Sequence, residues 1–307
     1  MAKLLNNQIA AVNTHWRLYP FARFLEAQEM LGMESIELWA GAPHFHLDDE
    51  SFDNCEKLKQ EVAAHGLSVV AFSPECVTYP YPICTPDEIT RKRSLAYYTN
   101  AIIAASKLGA QIMPVSCAGA RLDDPLEEAF DNAVTILRDL SGPAAEYGVC
   151  LAVETLPQIS APILNTLPEL KKLLDAVNSA QVQASLDICA VRTAGETIDE
   201  WLHLLGKIRH IHFTDGRPGG RMVWGQGLHP LDDYVESICN AAYTGYLGLN
   251  INNRGNWFDP ALVDEEKGFV GESWVPENDW FAPAAADREN IRMILPYLSD
   301  REKGGDI

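Results

Sequence analysis

Two carboxylates and an imidazole close three successive apolar segments of the chain: Glu154 follows VCLAV, Asp187 follows QASL, and His212 ends IRHIH. A charged carboxylate at the end of a buried strand costs several kcal/mol, on the order of a buried unpaired ion, unless a cation or hydrogen-bond donor meets it. Two oxygen ligands and one imidazole suit a divalent ion such as manganese, magnesium or cobalt, or zinc. The plainer alternative, that one acid pairs with an arginine or caps a helix, stays open for each residue taken singly. His210 and His212 alternate and share one face; His212 lies nearer the strand end and is expected as the ligand, with His210 as support. Arg217, in the loop DGRPGG, is placed to reach an oxyanion or a hydroxyl.

Such a set works only if the chain brings the segments side by side. Short β-branched runs at 8–13, 35–40, 67–73, 110–116, 148–155, 182–188, 208–214 and 246–251 alternate with longer amphipathic stretches. Gly32 and Gly66 read as helix stops, and Ser51 reads as the cap of the second helix. Eight strand–helix units in one chain predict a single (β/α)8 TIM barrel over 1–307, with functional side chains at the C-terminal strand ends. An open doubly wound sheet is the competing architecture, but no GxGxxG follows an early strand. Strand ends add His15, Trp39, His44, His46, Glu75, Ser116 and Asn250 to the candidate set. The rings of Trp39, Tyr79 and Tyr81 are suited to the apolar faces of a sugar, with polar neighbours reading its hydroxyls. The segment 252–283 is expected as a long loop on the catalytic face.

The chain has 24 basic and 43 acidic residues, a formal net charge of -19. That balance disfavours nucleic acid and anionic membranes, which would be repelled instead of gaining by counterion release. No apolar run approaches the roughly 18 residues of a membrane span. The N-terminus reads as a lead into a strand and not as a signal peptide. Seven scattered cysteines without a CxxC pair suggest free thiols and a cytoplasmic setting.

The strings IELWAGAPH, SPE…YPYP, LAVETL, LDICA, IRHIHFTDG and GQGLHPL occur in order along 35–231. On these the chain resembles the xylose-isomerase-like barrel superfamily, in its sugar isomerase/epimerase branch. It is most similar to the fructoselysine 3-epimerase type and more distantly similar to ketose 3-epimerases such as tagatose epimerase. The resemblance implies a divalent ion held by Glu154, Asp187, His212 and an eighth-strand glutamate. It also implies two glutamates on opposite faces of a keto-sugar that move a proton beside the carbonyl through an enediolate, and a homo-oligomer. Glu154 is then the base; His15, Trp39, His44, Glu75 and Arg217 are the substrate-side candidates.

Two departures qualify it. The eighth-strand glutamate aligns with Asn250, whose amide can ligate a hard cation but cannot act as a base near neutral pH. Ala190 stands where ketose epimerases often carry histidine. Three outcomes stay open: an acid of the long loop (Glu272, Glu277 or Asp279) replaces the missing base; Glu154 alone runs an isomerisation or dehydration; or the chain binds a sugar without turning it over. A hydrolase related to the barrel endonucleases is disfavoured by the charge.

Overall fold

The computed structural model describes residues 2–77, 80–158, 160–217, 220–251, 263–264, 268–269 and 281–299. Eight parallel strands form a closed barrel: Ile9–Val12, Ser35–Ala40, Ser68–Pro74, Ile112–Ser116, Cys150–Glu154, Val182–Asp187, Ile208–His212 and Tyr246–Leu249. The first strand closes on the eighth through Ile9 opposite Leu247, so none of these eight strands keeps a free edge. The expected barrel is therefore the observed one. Each strand run is rich in residues that pack on a pleated surface, and each is buried on its outer face by helices.

The helices start and stop where local chemistry satisfies their free backbone groups. The helix Glu88–Leu108 begins where the Asp87 side chain accepts the Thr90 N–H, and it ends at Gly109 in the left-handed region. The second helix begins at Cys55, later than the sequence suggests. Its cap is Asn54, whose side chain accepts the Lys57 N–H at 3.1 Å. Ser51 instead donates its N–H to Asp48 in the preceding turn. The stretch after the sixth strand is divided: Ile188–Thr193 starts on Asp187 itself, and Ile198–Leu202 follows a capping box of Thr197 and Glu200. The last helix, Phe281–Ile294, begins inside the segment expected as loop; 252–262, 265–267 and 270–280 lie outside the described residues.

Most of the core lies between strands and helices, where Phe24, Ile36, Phe72, Tyr97, Tyr98, Leu137 and Trp201 are fully buried. Inside the barrel the packing is different. Ala71, Ile112 and Ala152 form a small apolar plug with Tyr246 against it. Residues two apart on a strand share a face, so Ala71 and Ala152 have polar successors higher in the barrel, and Ile112 is followed by Pro114. Ser73 follows Ala71, Glu154 follows Ala152, and Gly248 follows Tyr246. The barrel thus changes from apolar to ionisable along its own axis.

Candidate metal and active site

Glu154, Asp187 and His212 come together at the top of the interior. One ligand atom from each lies within 4.8 Å of the others. The strand register accounts for this, since Asp187 pairs with His212 and Ser116 with Glu154. His212 Nδ1 lies 2.9 Å from Glu154 Oε2 and 3.7 Å from Asp187 Oδ2. The Ser116 hydroxyl donates to Glu154 Oε1 at 2.8 Å and fixes the carboxylate plane. Asp187 Oδ1 accepts the Ala190 N–H at 2.9 Å, and its Oδ2 meets the guanidinium of Arg221.

Below this set lies a second buried group, Glu37, His210 and His212. Glu37 Oε1 lies 2.9 Å from His212 Nε2, and Glu37 Oε2 lies 2.8 Å from His210 Nε2. The Ser73 hydroxyl also donates to Glu37 Oε1. Burial alone would raise the Glu37 carboxyl, but the His212 and His210 imidazoles outweigh it and hold it well below the usual carboxylate range. Burial likewise opposes charge on His212, and the Glu37 and Glu154 carboxylates reverse that and raise it. Asp187 is lowered because Arg221 and His212 overcome its desolvation.

The other sequence candidates fall in different places. Trp39 is partly exposed and its Nε1 donates to Glu75 Oε2 at 3.3 Å, so these two form a pair at the ends of the second and third strands. His44 is locked into the scaffold between Asn13 Nδ2 (2.8 Å) and the Tyr19 carbonyl (2.8 Å), and burial lowers its pKa. His15 Nε2 lies 2.9 Å from Asp287 Oδ1 on the last helix. The same Asp287 accepts from Trp16 and Gln28, so His15 stands at a helix–barrel junction. Exposed His46 meets Asp48 at 3.0 Å. Tyr81 is buried and stacked on Tyr97 with centroids 4.3 Å apart, which removes it from any sugar platform. Tyr79 lies outside the described residues, as do Glu272, Glu277 and Asp279.

Asn250 stands one residue past the eighth strand, which ends two residues earlier than expected. Its N–H turns back to the Gly248 carbonyl, and its own carbonyl accepts the Thr214 hydroxyl at 2.8 Å. Its side-chain Oδ1 is buried and has no hydrogen-bond partner among the described residues. Arg217 lies in a short hairpin, Asp215–Arg217 with Gly220–Met222, and its side chain is outside what the structure describes. The arginine that reaches Asp187 is Arg221, which the hairpin register places opposite Gly216.

Sequence reasoning passed over Glu37, Arg221 and Gly248. The signal for Glu37 was present, a lone acid inside the apolar run SIELWA. Arg221 shares a glycine-rich loop with Arg217, and only the hairpin register separates them.

Donor chemistry is consistent with a divalent ion. Two carboxylates and an imidazole converge, and the amide oxygen of Asn250, two residues past the Gly248 that pairs with His212, is buried and lacks a partner among the described residues. Residues 24–272 match the family described as "Xylose isomerase-like TIM barrel". Fructoselysine 3-epimerase of Shigella flexneri is 28% identical over 240 residues, covering 77% of this chain and 87% of that protein. The solved structure of an L-ribulose 3-epimerase superposes with a TM-score of 0.75 at 18% identity, covering 97% of this chain and 95% of that one. The IOLI protein, solved with a bound zinc atom, gives a TM-score of 0.71 at 17% identity, covering 95% of this chain and 99% of that one. On the extent of the family match, this chain belongs to the xylose isomerase-like TIM barrel family.

Proposed function

We propose that the chain is a metal-dependent isomerase or epimerase of a small keto-sugar or sugar derivative, with proton transfer beside a carbonyl. The observation that carries this reading is the convergence of Glu154, Asp187 and His212 at the barrel's C-terminal end. The sugar 3-epimerases among its relatives support the substrate class.

Glu154, Asp187 and His212 would hold a divalent ion, with Asn250 Oδ1 as a further oxygen ligand. When bound, such an ion polarises a substrate carbonyl and so acidifies the neighbouring C–H. The chain's own residues do the rest. Glu154 takes the proton from that carbon, and the Ser116 hydroxyl keeps the carboxylate oriented toward it. Arg221 balances the charge of Asp187 from the hairpin side. Trp39 offers a partly exposed ring at the rim for a sugar face, with Glu75 beside it for a hydroxyl. A second base on the opposite face must come from residues other than Asn250, because an amide does not accept a proton near neutral pH.

The test is incubation of manganese-loaded protein with ketoses and Amadori sugars in deuterated water, followed by NMR. Deuterium entering the carbon beside the carbonyl is the expected result, and its position separates epimerase from isomerase. Glu154→Gln should lower that exchange by roughly 10²–10⁴-fold. A ligand that binds tightly with no exchange would instead establish a sugar-binding protein, the reading that Asn250 favours.

A further inference from the structure

Glu37 plays no part in the chemistry above, yet it is the most completely satisfied acid in the barrel interior. Its side chain is 1% exposed and accepts from three side chains on two other strands: His212, His210 and Ser73. Space for it comes from a fourth strand. A Cβ on Gly248 would overlap Glu37 Oε2 and stand 3.0 Å from His210 Nε2, so the eighth strand gives up a side chain where the carboxylate enters. Four strands are thus committed to holding one acid directly beneath His212.

The orientation of His212 shows what that commitment achieves. Its ring has two nitrogens, and they face different partners. Nδ1 faces Glu154 and Asp187, at 2.9 and 3.7 Å, while Nε2 faces Glu37 at 2.9 Å. A carboxylate at Nε2 accepts a hydrogen bond from that nitrogen's N–H and cannot donate one. An imidazole that keeps its proton on Nε2 presents an unprotonated Nδ1 to a cation, and a hydrogen bond to the far nitrogen is what selects this tautomer in ligating histidines. His210 and Ser73 in turn prevent Glu37 from rotating away, because each fills an acceptor site that a turned carboxylate would lose.

We propose that Glu37 is a positioning residue that fixes the Nε2–H tautomer of His212 and aims its Nδ1 at the face shared with Glu154 and Asp187. The proposal rests on reading that face as a divalent-cation site. Glu37 touches neither ion nor substrate and acts only through His212.

Two measurements test it. Metal-free full-length protein is titrated with Mn²⁺ in wild-type and Glu37→Gln forms, with circular dichroism confirming the fold of each. The expected result is affinity weakened by roughly 10–100-fold in Glu37→Gln, the usual cost of losing an outer-shell partner. Separately, nitrogen-15 NMR of the Zn²⁺-loaded wild type reads the His212 ring, with the proton expected on Nε2 and Nδ1 bare. Unchanged Mn²⁺ affinity in a folded Glu37→Gln protein overturns the proposal while leaving the cation site intact. A proton found on Nδ1 of the zinc-loaded protein overturns it as well, and that measurement needs no variant to fold. Failure of the wild type to bind either ion removes the cation site and this proposal together.

Discussion

Asp187 and Asp215 are both buried aspartates at the C-terminal side of neighbouring strands, and they are satisfied in opposite ways. Asp215 accepts four backbone N–H groups: Gly216 and His229 on Oδ1, at 2.8 and 3.0 Å, and Gly225 and Gly227 on Oδ2, both at 2.9 Å. Gly227 is required for this approach, because a Cβ there would overlap the carboxylate. Asp187 has one backbone partner, Ala190; its other partners are His212 and Arg221. Backbone amides cannot leave, so Asp215 is a clamp that shapes the hairpin carrying Arg221. Side chains can turn away, so Asp187 is free to exchange a partner for an ion. A buried acid's role follows from whether its partners are replaceable.

Substitution should separate the two acids cleanly. Asp187→Asn should lower Mn²⁺ affinity on the order of 10³-fold, about 4 kcal/mol, beyond the roughly 10–100-fold cost of an outer-shell change. Calorimetric titration checks this, and a metal-free urea midpoint near wild type would show that the loss is local. Asp215→Asn should do the reverse. It places an amide NH₂ among N–H donors and should destabilise the fold by about 2–4 kcal/mol, visible as a lower urea midpoint. Equal losses of stability in the two variants would erase the distinction.

A smaller effect sharpens the comparison through pH, measured on protein stripped of metal. Glu37 is depressed below its ordinary 4.5, so its stabilisation is present above that value and is lost as pH falls through its lower folded value. His212 is raised above its ordinary 6.5, so its contribution is present below 6.5 and is lost as pH climbs through its raised folded value. Thermal stability should therefore peak between 4.5 and 6.5 and decline by about 1–2 kcal/mol on either side. Loading with metal should move the optimum upward, since the ion competes with a proton for His212. A flat profile between pH 4 and 8 on the order of experimental error would break this assignment.

Much of this was legible in the sequence, for a physical reason. A barrel repeats one unit eight times, so alternating apolar runs reveal it. Glu154, Asp187 and His212 stood out because each terminates an apolar run. Glu37 was equally visible in SIELWA, but its meaning lies in His210, 173 positions away, and in Gly248. Barrel closure brings those strands face to face across the interior, and no local pattern records that distance. Arg217 and Arg221 differ only by hairpin pairing, which depends on two-residue register. The cap at Asn54 was hidden for a similar reason, because Asp48 draws Ser51 into its own turn.

The apolar plug of Ala71, Ile112 and Ala152, with Tyr246 against it, has a kinetic consequence. It fills the interior beneath the Glu37 layer, and Glu37 lies between it and His212. On the proposed function, an ion held by Glu154, Asp187 and His212 would arrive and depart from the C-terminal side of the barrel, as would a sugar. On that function a bound ligand would cover the metal, so chelators should strip the ion more slowly from the occupied protein than from the free one.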